Sequence, residues 1–327
     1  MRIIITGAAG FIGSNFSKYM VNKYPNYDFL AIDKLTYSGN LDNIKDLLNH
    51  PNFKFIQEDI CNHDKMLEII KEGDVIVNFA AESHVDNSIA DSGIFVKTNV
   101  LGTHSILEAA RKKNAKLFVQ ISTDEVYGSL DLNSSSSTEK DILNPSSPYS
   151  ASKAAAEMMC LGNFKTFNQP IIITRSSNNF GPYQFPEKVV PLFVSNIIQD
   201  KKVPVYGVGK NIRDWIYVID NCAALDTIIH NGKVGEIYNI GGGNEVTNIE
   251  LTKLILKKMG KDESFIAFVG DRKGHDLRYS LSSEKVKSLG WYPQFSFDVA
   301  LEETIKWYKN NEQWWIPLKN TQGKRTS

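Results

Sequence analysis

The sequence predicts an α/β fold with a parallel sheet covered by helices on both faces, followed by a smaller α/β lobe. Three observations support this prediction. Short β-branched runs alternate with amphipathic stretches up to about residue 174, a glycine-rich turn follows the first run, and the rhythm becomes irregular after Thr174. Alternating strands and helices are typical of βαβ units, so we predict a Rossmann-type doubly wound parallel sheet.

Each predicted strand is apolar along its length, as expected where helices cover both faces of a parallel sheet. The six predicted strands are RIIIT (2–6), YDFLAID (27–33), FKFIQ (53–57), DVIVNFA (74–80), KLFVQIS (116–122) and PIIIT (170–174). We place the first domain at 1–175. A discontinuous substrate-binding lobe is expected over 176–320, with part of 214–240 returning to the first domain, and a disordered tail over 321–327.

Composition argues against several classes of protein. The 327 residues carry 37 Lys and Arg and 37 Asp and Glu, so no bulk positive charge indicates a nucleic-acid partner. Cys61, Cys160 and Cys222 are widely spaced and form no CxxC pair, which predicts thiols in a reducing cytoplasm and neither a metal site nor a disulfide framework. No apolar run reaches about 18 residues, so we predict no signal peptide and no membrane span.

The turn after the first strand has the layout of a dinucleotide site. Gly7, Gly10 and Gly13 lie in the turn GAAGFIG, and Asp33 ends the second strand 20 residues after Gly13. Glycines let backbone N–H groups approach a pyrophosphate, and an acidic residue there accepts hydrogen bonds from a ribose. Since Asp33 would repel a 2′-phosphate, the pattern favours NAD over NADP. The spacing is GxxGxxG, so a simple tight turn is the alternative.

Two further groups carry acid–base chemistry. The fifth predicted strand delivers Thr123, Asp124 and Glu125 at its carboxyl end, where ligands of open parallel sheets bind. Tyr149 and Lys153 lie four residues apart, on one face of a helix after Pro148. A nearby ammonium lowers a phenol pKa from about 10, so Tyr149 is expected to act as a base. The alternatives are a solvated strand end and an exposed i,i+4 pair.

Together these motifs resemble the extended short-chain dehydrogenase/reductases. The resemblance rests on GAAGFIG, NFAAESHVD, STDEVYG and YSASK. Within that family, IDKLTYSGNL, SSNNFGPYQFPEK, IRDWIYV, YNIGGGNE and DRKGHDLRY follow one another as in the dTDP-glucose 4,6-dehydratases, from Met1 to about Trp315. Related epimerases and decarboxylases are similar in the Tyr/Lys part but typically lack the Asp and Glu after Thr123.

The resemblance implies a hydro-lyase that makes a 4-keto-6-deoxy sugar nucleotide for deoxysugar and polysaccharide synthesis. Tyr149, with Thr123 orienting the sugar hydroxyl, would remove the C4 hydroxyl proton while hydride passes to NAD. Glu125 would then remove the C5 hydrogen, and Asp124 would protonate the departing C6 hydroxyl before hydride returns to C6. This division needs Asp124 neutral and Glu125 ionised, so we predict that their pKa values are pushed apart.

The resemblance also implies the binding residues. The expected cofactor contacts are Gly7, Gly10, Phe11, Ile12, Gly13, Asp33, Lys34, Leu35, Thr36, Asp59, Ile60, Ala80, Ala81, Ser83, Thr98, Tyr149 and Lys153. The expected contacts of a nucleotide-sugar substrate, whose diphosphate requires cations, are Ser83, His84, Thr123, Asn178, Lys188, Arg213, Asn248, Arg272 and His275. A helix cap is the alternative for Asp59, a packed structural histidine for His84, and a solvated charge for each Arg or Lys taken singly.

Several alternatives stay open at this point. The enzyme could be a UDP- or GDP-sugar 4,6-dehydratase or an epimerase of the same family, or the chain could bind NAD without catalysis. As in relatives, the apolar helices near 96–110 and 154–167 could form a homodimer interface. Both helices could instead be covered by their own sheet.

Overall fold

The structure, a computed structural model, describes residues 1–271 and 274–322. The strands are β1 Arg2–Thr6, β2 Asp28–Asp33, β3 Phe53–Gln57, β4 Val75–Asn78, β5 Leu117–Thr123, β6 Ile171–Ser176, β7 Asn178–Phe180, β8 Val203–Tyr206, β9 Ile212–Tyr217, β10 Ile237–Ile240, β11 Glu245–Thr247 and β12 Ile266–Val269. Arg272 and residues 323–327 of the expected tail lie outside the described residues.

The helices lie between these strands and after them. They are α1 Phe11–Lys23, α2 His63–Ile69, α3 Val85–Ala90, α4 Gly93–Phe95, α5 Thr103–Lys112, α6 Pro148–Phe167, α7 Val189–Ile198, α8 Val218–Asn231, α9 Asn248–Lys258, α10 Glu284–Lys287, α11 Phe297–Asn310 and α12 Glu312–Gln322. Short 3-10 turns span Leu41–Leu47, Asp124–Tyr127 and Glu263–Phe265, and a π-helical segment spans Val96–Gly102. In the described part of the chain, no helix combines the length and apolarity that crossing a membrane requires.

Within the described residues, seven strands form one parallel sheet in the order β10-β6-β5-β4-β1-β2-β3. The chain builds outward from β1 through β2 to β3 and then crosses to β4 on the other side of β1. This crossing creates a switch point between β1 and β4, where an open α/β sheet leaves a crevice for a ligand. The predicted doubly wound Rossmann-type fold is confirmed.

The core forms because the central strands are apolar on both faces. Ile3, Ile4 and Ile5 of β1 are all fully buried: Ile3 and Ile5 pack into one hydrophobic cluster and Ile4 into another. Successive side chains of a strand point to opposite faces, so a run of three isoleucines requires helices on both sides.

The second lobe is built from small sheets. Strand β9 pairs with β7 in parallel and with β11 in antiparallel orientation, and β8 pairs with β12. Strand β10 follows these strands in the chain, yet it pairs with β6 at the edge of the large sheet. The helix α12 includes Thr321 and Gln322, which the sequence assigns to the tail.

Candidate active site

The loop between β1 and α1 forms a close-fitting backbone cradle. A methyl group on Gly13 would lie 2.2 Å from the carbonyl oxygen of Gly7, and one on Gly7 would lie 2.7 Å from the backbone nitrogen of Ala80. Gly7 also has a φ of +64°, which side chains rarely adopt. Gly10, the residue before α1, provides no side-chain cap, and uncapped N–H groups at a helix N-terminus suit the binding of an anion.

Replacing Gly13 by Ala should therefore damage both the fold and the cradle. Overpacking of this kind typically costs about 1–3 kcal/mol of unfolding free energy, and we expect weaker dinucleotide binding as well. Denaturant unfolding and a dinucleotide titration measure the two effects. Gly162→Ala is the matched control, because a methyl group there meets nothing within 4 Å on α6 and should stabilise the helix. Equal stability and affinity in both variants would contradict the cradle.

Asp33 is fixed beside this cradle. Its carboxylate accepts hydrogen bonds from the backbone nitrogens of Ala9 at 2.9 Å and Leu35 at 2.8 Å. Burial raises the pKa of Asp33, and the two N–H donors act in the opposite direction. Leu35 itself does not line the cavity, but its backbone orients Asp33.

The crevice between β1 and β4 opens into a cavity that brings together nearly all the predicted cofactor contacts. Those that line it are Gly7, Gly10, Phe11, Ile12, Gly13, Asp33, Lys34, Thr36, Asp59, Ile60, Ala80, Ala81, Ser83, Thr98, Tyr149 and Lys153. Asp59 is paired with Lys34, with 2.7 Å between Nζ and Oδ2. The helix-cap alternative for Asp59 is wrong, because α2 is capped by Asn62, whose side chain accepts a hydrogen bond from the Lys65 nitrogen.

Side chains from the second lobe complete the cavity. Gln184, Phe185, Glu187 and Lys188 line it. The hydroxyl of Tyr37 donates to Glu187 at 2.9 Å, and Lys188 Nζ donates to the Ser83 carbonyl oxygen at 2.8 Å. These two hydrogen bonds connect the second lobe to the loops that follow β2 and β4, so the cavity is shared by both lobes.

The end of β5 presents Thr123, Asp124 and Glu125. Thr123 caps the 3-10 turn Asp124–Tyr127: its Oγ1 accepts from the Glu125 nitrogen at 3.3 Å and donates to Asp124 Oδ1 at 3.2 Å. This turn buries Asp124 to 3% exposure and leaves Glu125 partly exposed. The two adjacent carboxyl groups therefore occupy different environments.

The environment of Asp124 favours its neutral form. Burial is the main cause that raises its pKa well above the ordinary value, and the charges of Glu125 and Asp214 act in the same direction. Arg213 and the hydroxyl of Thr123 oppose the rise. The raised pKa favours the protonated form of Asp124, which suits a general acid.

The helix α6 positions Tyr149 and Lys153, the second predicted acid–base pair. Its first residue is Pro148, and Ser147 and Ser150 form a reciprocal capping box with hydrogen bonds of 3.1 and 3.0 Å. Tyr149 and Lys153 are both buried rather than exposed, so the surface-pair alternative is wrong. The ammonium of Lys153 donates to the Ile121 carbonyl oxygen at 2.6 Å, which ties the helix to β5.

The expected lowering of the Tyr149 pKa is not found. Burial raises the pKa of this phenol, and the charges of Glu125 and Asp124 raise it further, while the Thr123 hydroxyl acts in the opposite direction. Burial also lowers the pKa of Lys153 to about 8. The i,i+4 spacing of Tyr149 and Lys153 does not reveal the desolvation of the phenol or the two neighbouring carboxyl groups, and these raise its pKa.

Among the predicted substrate contacts of the second lobe, Arg213 bonds directly to the backbone carbonyl of Asp276, Asn248 is linked to it through Asn211, and His275 precedes Asp276 in the chain. The Asp276 carbonyl accepts from Arg213 Nη2 at 2.9 Å and from Asn211 Nδ2 at 3.0 Å, and the Asn211 carbonyl accepts from the Asn248 nitrogen at 2.9 Å. Next to it, His275 Nδ1 lies 2.6 Å from Asp271 Oδ1. The guanidinium of Arg213, the side-chain amide of Asn211 and the imidazole of His275 therefore belong to one group of contacts around Asp271 and Asp276.

His84, a predicted substrate contact, precedes the short helix α3. Its Nδ1 accepts a hydrogen bond from the Asn87 nitrogen at 3.3 Å, so it caps α3.

Several buried polar atoms near the strand ends lack a hydrogen-bond partner among the described residues, and three of them belong to or adjoin the predicted site residues. These three are Ser122 Oγ, Asp124 Oδ2 and Asn178 Oδ1. A buried polar atom without a partner costs roughly 1–3 kcal/mol, so such atoms mark places where a ligand or water completes the site.

Sequence reasoning missed several residues of the cavity. They are Ile32, Ser38, Gly39, Glu58, Phe79, Glu82, Ile121, Ser122, Gln184, Phe185 and Glu187. The segment QFPEK, which supplied Lys188, could have indicated Gln184, Phe185 and Glu187. Asp214 was also missed, although it follows Arg213 directly; burial raises its pKa to about 6.

Comparison with known proteins identifies the family. From residue 4 to 304, the chain matches the family model described as GDP-mannose 4,6 dehydratase. The chain belongs to this family. The similarity to dTDP-glucose 4,6-dehydratases expected from the motifs is confirmed within it: the enzyme of Streptomyces niveus is 43% identical over 325 residues, covering 98% of this chain and 96% of its own length.

Two further relatives of this family are similar over almost the whole chain. The low-salt glycan biosynthesis protein Agl12 of Haloferax volcanii is 46% identical, covering 96% of this chain and all of its own. The crystal structure of DesIV, a dTDP-glucose 4,6-dehydratase from Streptomyces venezuelae with NAD and TYD bound, superposes with a TM-score of 0.95 at 44% identity, covering 97% of this chain and all of its own.

Proposed function

We propose that this protein is an NAD-dependent hydro-lyase that converts dTDP-glucose to dTDP-4-keto-6-deoxy-glucose. One observation carries the proposal: a buried carboxyl group that favours its protonated form, Asp124, lies beside a partly exposed one, Glu125, at the sheet edge that also holds Tyr149 and Lys153. An oxidoreductase or epimerase needs the Tyr149–Lys153 pair but not the two adjacent carboxyl groups. The curated dTDP-glucose 4,6-dehydratases support the same reaction.

The cavity fits NAD. Gly7 and Gly13 allow a close backbone approach that a side chain would block, and the carboxylate of Asp33 is held beside them. When bound, NAD supplies a reversible hydride acceptor for the sugar carbon. Tyr149 and Lys153 line the same cavity, which places the proposed base next to the cofactor site.

The residues of this chain move the protons. Tyr149 is the proposed base for the C4 hydroxyl, and the Thr123 hydroxyl, which favours the ionised phenol, orients that proton transfer. A phenol whose pKa is raised by burial needs a compensating positive charge to ionise. Lys153 supplies one such charge, and the oxidised cofactor carries another.

The carboxyl pair performs the elimination. A ketone at C4 acidifies the hydrogen at C5, so Glu125 can remove it as a base. Asp124 delivers its proton to the C6 oxygen, which leaves as water. Return of the hydride to C6 and of a proton to C5 would then complete the 4-keto-6-deoxy product. The roles are assigned from burial: buried Asp124, whose raised pKa favours the protonated form, is the proposed acid, and partly exposed Glu125 is the proposed base.

The nucleotide diphosphate would bind in the second lobe. Lys188, Arg213 and His275 supply cationic or hydrogen-bond donor groups, and Asn178 and Asn248 supply amides. Arg213 is already oriented by two backbone carbonyls, those of Ile212 at 2.7 Å and Asp276 at 2.9 Å. The predicted contact Arg272 lies outside the described residues.

The proposal is tested by incubating the purified protein with dTDP-glucose, UDP-glucose or GDP-mannose, without added reductant, and analysing products by mass and NMR. Loss of one water from dTDP-glucose, with a C6 methyl group and a C4 ketone, is the expected result. Dehydration of UDP-glucose or GDP-mannose, but not of dTDP-glucose, would support the proposed mechanism with a different substrate. Epimerisation would contradict the roles of Asp124 and Glu125.

We also propose that the chain forms a homodimer through the two helical segments 93–112 and 148–167. The apolar side chains of Val96, Leu101 and Met158 are 51%, 57% and 48% exposed on these packed segments. They are therefore not covered by their own sheet, and a second copy of the chain would bury them.

Leu101→Asp should convert this dimer to a monomer, because it would place a charge in the apolar interface. Size-exclusion chromatography with light scattering measures the mass. Leu132→Asp is the matched control, since Leu132 is 58% exposed in a loop that belongs to neither helical segment. A wild-type monomer, or an unchanged mass in the Leu101 variant, would contradict the interface.

A cytoplasmic location is the corresponding proposal for the compartment. It is supported by Cys61, Cys160 and Cys222, all of which are free thiols.

A further inference from the structure

Arg175 and Glu157 form a fully buried ion pair that takes no part in the proton transfers described above. Arg175 on β6 is 2% exposed and Glu157 on α6 is 0% exposed. Arg175 Nε lies 3.1 and 3.0 Å from the two carboxylate oxygens of Glu157, and Nη2 lies 2.5 Å from Oε2. Such a pair is costly to desolvate and is weak evidence for stability, so another role needs to be considered.

The remaining nitrogen of Arg175 reaches the turn that carries the catalytic carboxyl groups. Nη1 donates to the Tyr127 hydroxyl at 2.7 Å, and the guanidinium lies 4.7 Å from the centre of the Tyr127 ring. The Tyr127 hydroxyl in turn donates to Asn239 Oδ1 on β10 at 2.8 Å. Tyr127 is the last residue of the turn Asp124–Tyr127, so its hydrogen bond from Arg175 connects this turn to β6.

The other end of the pair reaches the catalytic helix. Tyr149, Lys153 and Glu157 are spaced four residues apart on α6 and so share one face. Burial lowers the pKa of Lys153, and the charge of Glu157 acts in the opposite direction. Glu157 therefore connects this face of α6 to Arg175 on β6. It is also the nearest negative charge to Lys153 on the same helix.

We propose that Arg175, Glu157 and Tyr127 are positioning residues that fix the Asp124–Glu125 turn relative to the Tyr149–Lys153 helix face. The inference rests on the proposed function, because elimination requires a base at C4 and an acid and a base at C6 and C5 of the same sugar. Catalytic groups must be held within about 0.5 Å of their productive positions. A guanidinium bonded to both segments supplies this constraint.

Tyr127→Phe tests the link while removing a single hydroxyl. We expect kcat for dehydration to fall about tenfold, because misplacing catalytic groups by about 1 Å can lower a rate by more than this. KM for dTDP-glucose should change less than twofold, because no substrate contact is lost. Tyr238→Phe is the matched control: Tyr238 is a buried tyrosine on β10 whose hydroxyl accepts from the Lys233 nitrogen, away from both catalytic segments. It should lose similar stability and keep kcat.

A second variant separates positioning from stability. In the double variant Glu157→Leu and Arg175→Met, apolar side chains of similar volume replace the pair, which is often neutral or stabilising for a fold. We expect thermal unfolding close to that of the wild type together with a lowered kcat and an unchanged KM. A stable double variant with wild-type kcat, or equal losses of kcat in the Tyr127 and Tyr238 variants, would overturn the proposal.

Hydrogen–deuterium exchange of segment 122–128 gives a reading that does not depend on activity. Faster exchange in Tyr127→Phe than in Tyr238→Phe is expected, and equal exchange would overturn the inference. If the wild-type protein does not dehydrate dTDP-glucose, the proposed function fails, and this exchange measurement still decides whether Arg175 and Tyr127 hold the turn.

Discussion

Replacing Asp124 by Asn is expected to slow the loss of water from dTDP-glucose by about 10²- to 10⁴-fold, the usual contribution of a general acid. The amide has nearly the same shape and can still accept the hydrogen bond from Thr123, but it has no proton to give to the C6 oxygen. The rate is measured from the mass and NMR of the products.

The same variant should still exchange the C5 hydrogen of the sugar with solvent deuterium. Tyr149 and Glu125 are intact in it, so oxidation at C4 and proton removal at C5 can proceed while water is retained. Deuterium at C5 without dehydration therefore assigns Asp124 to the leaving-group step. Loss of both exchange and dehydration would assign it instead to an earlier step.

The stability of Asp124→Asn should depend on pH in a defined direction. Burial raises the pKa of Asp124 in the folded protein, so above about pH 4, where an unfolded aspartate ionises, the folded state binds a proton that the unfolded state has lost. Such a group stabilises the fold at low pH, and this contribution is lost as pH rises through the folded pKa. The advantage of the variant in unfolding free energy should thus grow with pH above about 4. Denaturant titrations measure it, and a constant difference would contradict the raised pKa.

Tyr149→Phe is expected to abolish the reaction at its first step, with a loss of about 10²- to 10⁴-fold in kcat and little change in KM. The ring packs edge-on against Phe95 with 6.3 Å between centroids, and Phe retains that contact. The fold should therefore be kept, and only the proton acceptor for the C4 hydroxyl is removed.

The C5 hydrogen distinguishes this variant from Asp124→Asn. Without oxidation at C4 that hydrogen is not acidic, so Tyr149→Phe should show neither dehydration nor deuterium exchange. Unfolding temperature and dinucleotide binding serve as controls and should match the wild type. Exchange at C5 in Tyr149→Phe would mean that another group performs the first proton transfer.

Local sequence spacing was sufficient for much of the fold and of the cofactor site. The run RIIIT followed by GAAGFIG and by Asp33 defines a βαβ unit within about 33 residues, and each part depends on near neighbours in the chain. The acid–base candidates were found in the same way, because STDEVYG begins at the end of a predicted strand and YSASK spaces Tyr149 and Lys153 by about one helical turn.

Long-range contacts could not be found in this way. Tyr37 and Glu187 are 150 positions apart and their hydrogen bond exists only because the two lobes meet at the cavity. Likewise, the contacts of Arg175 with Glu157 and Tyr127 depend on β6 lying beside both β5 and α6.

The sequence by itself therefore determined which groups are present: the glycine turn, Asp33, two adjacent carboxylic acids and a Tyr/Lys pair. Only the tertiary structure decided their protonation preferences, since burial raises the pKa values of both Asp124 and Tyr149. The reason is physical. Residue identity and periodicity are local properties, whereas the loss of water around a charged group and the charges that replace it depend on every segment packed against that group.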